Sequence, residues 1–93
     1  MNRLSVNSTP SLMHFPGEFC IKIMGQADSN FKATALGIVR QHFPYLTETA
    51  VQLNPSRNQR YLALRVTLTV DSQAQLDGLY QALSQHPAVL FVI

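Results

Sequence analysis

One cysteine and one glycine are the first candidates for reactivity and for ligand binding in this chain. The stretch FPGEFCIKIMGQAD, residues 15–28, holds the only cysteine, Cys20, and reaches Gly25 just before a helical pattern. A reactive thiol needs a depressed pKa, which a helix N-terminus or a nearby cation supplies, and Lys22 is such a cation. A single cysteine makes no internal disulfide and no structural zinc site. We therefore expect Cys20 to be a small strand residue rather than a nucleophile.

The residues that follow the first strand are the better candidates for ligand binding. Gly25, Gln26, Ala27 and Asp28 lead into the first helix, where free backbone amides attract anions and a glycine permits close approach. Neither G-x-G-x-x-G nor a Walker lysine is present, so the stretch carries no nucleotide fingerprint. A glycine needed only for the backbone geometry of the turn is the alternative interpretation.

Catalytic and metal-binding patterns are not found in the sequence. His42 and His86 fall in the last turns of two predicted helices, where an imidazolium interacts favourably with unpaired carbonyls. The five acidic residues are scattered one at a time, and no Ser/His/Asp set, carboxylate pair or activated nucleophile is present. We expect a protein that is not an enzyme and holds no metal and no cofactor.

Hydrophobic periodicity predicts the order strand, helix, strand, strand, helix, strand. The clearest strand is YLALRVTLTV, residues 61–70, which alternates apolar and other residues five times. Capping signals precede both helices, Asp28 or Ser29 for the first and the pair Ser72 and Gln75 for the second. The other predicted elements are strands over 18–25, 47–54 and 88–93, a helix with the apolar stripe Phe31, Ala35, Ile38, Val39, and a helix with the stripe Leu76, Leu79, Tyr80, Leu83.

This order predicts an α+β, ferredoxin-like βαββαβ sandwich, because right-handed crossovers place both helices on one face of a four-stranded antiparallel sheet. The first and third strands are then central, and the opposite face of the sheet is open. We assign residues 15–93 to this domain and residues 1–14, rich in Asn, Ser and Pro, to a flexible tail.

The open face is a candidate interaction surface. Alternation places Cys20, Lys22 and Met24 of the first strand there, together with Tyr61 and Arg65 of the third. Basic residues beside a tyrosine also suggest RNA binding, but RNA-binding sheets stack bases on several rings, and the open-face positions of the first strand offer none. A protein partner is therefore favoured over nucleic acid.

Composition limits the classes of binding partner and the cellular locations that we expect for the protein. The net charge of +2 is too small to indicate nucleic acid or an anionic membrane, and no apolar run approaches the roughly 20 residues of a membrane span. With no signal-peptide pattern at the start, a cytoplasmic location is expected. Only 13% of the residues are charged, which leaves sheet edges less protected and favours self-association.

Several short matches carry a resemblance to a known family. Phe15-Pro16, Met24-Gly25-Gln26-Ala27, Pro55-Ser56, Tyr61 and Leu79-Tyr80 resemble the YbeD family of small bacterial proteins over about residues 15–93. The resemblance implies an ACT-like domain, related to domains that sense amino acids, and the family name "lipoate regulatory protein" implies an association with lipoate metabolism. It also implies a homodimer with a ligand near Gly25, Gln26, Ala27 and Asp28.

One departure from the family concerns the hairpin. Members tend to carry Gly-x-Tyr, whereas this chain has Gln59-Arg60-Tyr61, so the turn needs another residue in the left-handed region, for which Asn58 is suited. Our leading expectation is a non-enzymatic regulatory or ligand-sensing module. The alternative is an interaction adaptor that uses the open face or an edge strand.

Overall fold

The structure, a computed structural model, describes residues 14–28 and 30–93. The predicted tail over residues 1–14 lies outside the described residues except for His14. The elements are β1 (Gly17–Gln26), α1 (Phe31–His42), β2 (Val51–Pro55), β3 (Tyr61–Val70), α2 (Gln73–Gln85) and β4 (Val89–Val92), with a 3₁₀ helix (Glu48–Ala50) before β2. No helix in this part of the chain is long and apolar enough to span a membrane.

The four strands form one antiparallel sheet in the order β2-β3-β1-β4. β1 and β3 are the central strands, and they pair along their whole length, from Gly17 opposite Val70 to Gln26 opposite Tyr61. Both helices pack on one face of this sheet, and the predicted ferredoxin-like fold is confirmed.

The core lies between the helices and one face of the sheet. Alternate residues of β1 and β3 supply the sheet side, with Ile23, Leu64 and Val66 fully buried. The helices supply Phe31, Ala35, Leu36 and Val39 from α1 and Leu76, Leu79 and Leu83 from α2. Leu36 is an addition to the predicted stripe of α1, while the predicted Ile38 is only half-buried.

The cap of α2 is confirmed in part and joins the two helices. The Ser72 hydroxyl accepts from the Gln75 amide at 3.2 Å, as a capping box requires. The Gln75 side chain, however, accepts from the amide of Asp71 at 2.8 Å rather than from that of Ser72. Its Nε2 also donates to the His42 carbonyl at 3.3 Å. The start of α2 is thereby tied to the end of α1.

The predicted strand over 47–54 is wrong in its first half. Alternation continues through residues 47–50, but the Ala50 amide donates to the Thr47 carbonyl at 3.1 Å and closes a 3₁₀ turn. An ion pair between Arg40 and Glu48 at 3.5 Å holds this turn against α1. The strand therefore begins at Val51.

The hairpin between β2 and β3 has its left-handed backbone conformation at a different residue from the one predicted. Gln59, not Asn58, has the positive φ of 60°. The Asn58 side chain instead accepts from the Arg60 amide at 3.1 Å and from the Ser56 hydroxyl at 2.9 Å. An asparagine that bonds the backbone two residues ahead fixes the turn locally, and the left-handed position then falls on the residue between them.

Candidate functional site

Gly25 is a strand residue packed against an aromatic ring. It lies in β1, opposite Leu62 on one side and Val89 on the other, and it is buried. A Cβ at this position would overlap the Phe31 ring and lie 2.7 Å from the Ala88 carbonyl oxygen. Its φ is not positive. The glycine is therefore required by the close approach of Phe31, and the strand extends one residue further than predicted, to Gln26.

The backbone amides of the turn after β1 are bonded within the protein. Ala27 donates to the Arg60 carbonyl and Asp28 to the Gln26 carbonyl, both at 2.8 Å. The Asp28 carboxylate accepts from the Asn30 amide at 2.8 Å and from the Phe31 amide at 3.1 Å. The prediction that Asp28 accepts from amides of the first turn is confirmed, and the residue at the N-cap position itself is Asn30. The Asp28 carboxylate sits where the anion of a ligand would bind.

The candidate interaction residues all lie on the sheet face away from the helices, which we call the open face. Lys22 stands directly opposite Arg65, and Cys20 opposite Thr67. Met24 stands opposite the buried Ala63. The register thus brings the predicted residues Cys20, Lys22, Met24, Tyr61 and Arg65 onto one continuous surface; that they bind a partner stays a prediction.

The last strand extends this surface with apolar side chains that sequence reasoning did not assign. Phe91 pairs with Met24 from the other side, and the Ile93 backbone bonds that of Lys22 at 2.8 and 2.9 Å. Their exposed fractions are 50% and 64%. A β-bulge between Met24 and Gly25 leaves Leu90 without a partner in β1. A continuous apolar run gives no alternation, so the sequence held no signal for which side chains face outward.

Two positive charges face each other on the central strands without compensation. Among the described residues the ion pair between Arg40 and Glu48 is the sole one, so neither Lys22 nor Arg65 has a carboxylate partner. Like charges directly opposite in an antiparallel pair are destabilising. The open face therefore combines an uncompensated cationic pair with an adjoining apolar row, Met24 and Phe91.

His42, His86 and Tyr80 take part in local structure. The His42 Nδ1 lies 3.2 Å from the Ile38 carbonyl, consistent with capping the end of α1. The His86 Nδ1 accepts from the Ala88 amide at 3.0 Å, which fixes the chain just before β4. Burial raises the pKa of the Tyr80 phenol, which stays uncharged at neutral pH. In residues 14–28 and 30–93, no three His, Cys, Asp or Glu side chains gather as a metal site.

The element order and the sheet topology define a small ferredoxin-like α+β domain. The structure is similar to the ACT domain of GTP pyrophosphokinase from Chlorobium tepidum, with a TM-score of 0.64 and 17% identity over 82% of this chain and 94% of that one. It is also similar to protein HP0495 from H. pylori, with a TM-score of 0.66 and 14% identity over 87% of this chain and 85% of that one. At these identities the likeness concerns the fold alone.

Sequence similarity assigns the family. Residues 10–93 match the family described as "Protein of unknown function (DUF493)". A UPF0250 protein of Janthinobacterium is 41% identical over 88 residues, covering 95% of this chain and 97% of the relative. UPF0250 protein NE1487 of Nitrosomonas europaea is 41% identical over 83 residues, covering 89% and 95%. The chain belongs to this family, and the resemblance noted from the sequence is confirmed.

Proposed function

We propose that this protein is a non-catalytic regulatory module that acts by binding a partner protein through the open face. The observation that carries the proposal is the uncompensated pair Lys22 and Arg65 beside the exposed apolar residues Met24 and Phe91. The complementary partner surface presents carboxylates to the two cations and an apolar side chain to the neighbouring row.

In the free protein, the opposed charges of Lys22 and Arg65 lower the stability of the sheet. Repulsion between directly opposed like charges destabilises the sheet by roughly 0.2–1 kcal/mol, and a partner carboxylate converts that cost into a favourable contact. Aromatic residues and methionine are enriched in interface cores. Since these side chains project from paired strands, binding requires little ordering of the backbone, and the ordering cost falls on the side chains of Lys22, Arg65 and Met24.

We expect the variant with Lys22→Gln and Arg65→Gln to lose partner binding by about tenfold or more, because loss of paired interface charges costs at least 1–2 kcal/mol. The measurement is quantitative recovery of bound proteins from extract of the native cell, with and without nuclease treatment. The matched control is Lys32→Gln with Arg40→Gln, which removes the same charge from α1; because it also breaks the ion pair between Arg40 and Glu48, circular dichroism checks that its fold is intact. Chemical denaturation of the first variant should show equal or slightly higher stability, since the repulsion is gone.

Three results decide this experiment. Loss of the same partner in the open-face variant and its retention in the α1 control support the proposal. Equal recovery by both variants excludes the open face. Recovery that disappears on nuclease treatment identifies RNA as the occupant and overturns the protein partner.

A second candidate is metabolite sensing at Gly25, Gln26, Ala27 and Asp28, in a homodimer and linked to lipoate. It is favoured by the exposure of Gln26, Ala27 and Asp28 at the start of α1 and by the likeness to an ACT domain of GTP pyrophosphokinase. A carboxylate ligand such as lipoate must then displace the Asp28 carboxylate from the two amides it occupies.

We expect Asp28→Ala to lower the free energy of unfolding by about 1 kcal/mol through loss of the cap, while tightening the binding of octanoate and lipoate at the freed amides. Asp28→Asn is the control, since its side-chain oxygen keeps the cap. Amide chemical-shift titrations with lipoate, octanoate and amino acids measure the binding, and urea denaturation measures the change in stability. Absence of shifts at residues 24–31 at millimolar ligand, in the wild type and in Asp28→Ala, removes metabolite sensing at this turn.

A further inference from the structure

A cleft of about 590 Å³ opens at the end of the sheet away from the turn between β1 and α1. β2 pairs only with Leu62–Val66 of β3, so the last residues of β3 lack a strand neighbour on that side. Residues 43–50 span the gap and form one wall of the cleft. Its volume falls within the roughly 300–1,000 Å³ of small-molecule sites.

The interior of this cleft joins an apolar floor to hydroxyl-bearing walls. Phe43 and Leu68 are buried and Leu46 is half-buried, and these three supply the floor. The walls carry four threonines, Thr47, Thr49, Thr67 and Thr69. An apolar body with a polar end fits such a lining.

The charge at the rim is negative. Glu18 of β1 and Asp71 at the end of β3 both line the cleft, and no lysine, arginine or histidine does. Neither carboxylate takes part in an ion pair within the described part of the chain. A concave site bounded by charges of one sign concentrates ions of the opposite sign, and the cleft therefore selects a cation.

An aromatic ring stands at the same rim. Tyr45 lines the cleft and is 92% exposed, the most exposed of the large apolar side chains in residues 14–28 and 30–93. The face of a tyrosine ring attracts ammonium groups. Carboxylates, an aromatic ring and an apolar floor together are the chemistry that recognises organic cations.

We propose that this cleft binds an alkylammonium group, with its stem on the floor of Phe43, Leu46 and Leu68 and its charge held by Glu18, Asp71 and the Tyr45 ring. The site lies beyond the proposed function, since it uses neither the pair Lys22 and Arg65 nor the turn at Asp28. The same chemistry is offered by a free amine and by a lysine side chain of a partner protein.

The test is an amide chemical-shift titration of the full chain with n-butylammonium, butanol and butyrate. We expect butylammonium to shift residues 43–50 and 67–71, butanol to bind about tenfold more weakly, and butyrate to leave these residues unchanged. Glu18→Gln with Asp71→Asn should weaken butylammonium binding by about tenfold, and Tyr45→Ala by about threefold. Asp77→Asn is the control, since Asp77 bonds Gln73 on α2 and does not line the cleft.

The peptide acetyl-Leu-Lys-Leu-amide distinguishes the two sources. Tighter binding of the peptide than of butylammonium indicates a partner's lysine, and tighter binding of butylammonium indicates a free amine. The proposal is overturned by equal shifts with butanol and butylammonium, by unchanged affinity in the Glu18 and Asp71 double variant with its fold intact, or by no shift in the wild type up to about 50 mM.

Discussion

Replacement of Gly25 by alanine is expected to lower the free energy of unfolding by about 2–3 kcal/mol. The added methyl group meets the Phe31 ring and the Ala88 carbonyl oxygen at once. Retreat of the ring disturbs the start of α1, because Phe31 is its first residue and is only 2% exposed. Retreat of Ala88 disturbs the pairing of β4 with β1. Urea denaturation followed by circular dichroism measures the loss.

Gly37→Ala is the matched control, and its effect has the opposite sign. Gly37 lies exposed in the middle of α1, and a Cβ there meets no atom within 4 Å. Alanine restricts the unfolded chain and favours the helix, so stability should rise by about 0.5–1 kcal/mol. A Gly25→Ala protein as stable as the wild type, or a destabilised Gly37→Ala protein, would contradict this account of the two glycines.

The alternation of β1 and β3 made most of the fold predictable. Every second residue of 61–70 is apolar, which separates the core side from the open side without knowledge of the partners. The same alternation placed Lys22 and Arg65 on one face. It did not reveal that they stand opposite one another, because the register depends on how two strands far apart in sequence pair.

Of the features that escaped prediction, the role of Gly25 and the cleft depend on tertiary contacts, whereas the 3₁₀ turn and the hairpin are closed by local hydrogen bonds. Residues 47–50 alternate like a strand, yet the bond from Ala50 to Thr47 and the pairing of Glu48 with Arg40 decide their conformation. The role of Gly25 follows from the place where the Phe31 ring packs, which local sequence does not encode. The cleft exists because β2 is shorter than the pattern predicts. A strand over the full predicted range would fill this space, so the sequence pattern gave no indication of a cleft.

Phe31→Ala is expected to lower the free energy of unfolding by about 3–5 kcal/mol, because it leaves a cavity in the core. This loss is larger than the one expected for Gly25→Ala. Combined with Gly25→Ala, the loss should fall short of the sum of the two single losses by about 1 kcal/mol or more. The reason is that the new methyl group enters space the ring has vacated. Phe31→Leu provides a milder cycle of the same design for the case in which the alanine variant does not fold.

Val70→Ala is the control for this double-mutant cycle. Val70 is fully buried but pairs with Gly17, eight residues along β1 from Gly25, roughly 26 Å away at the rise of a strand. Its loss should therefore add to that of Gly25→Ala within about 0.5 kcal/mol. If the losses from Phe31→Ala and from Phe31→Leu each also add fully to the loss from Gly25→Ala, contact with the Phe31 ring is not the reason that position 25 requires glycine. The need for glycine at this position would then come from the Ala88 carbonyl oxygen, which lies 2.7 Å from the added Cβ, or from an approaching ligand, as metabolite sensing requires.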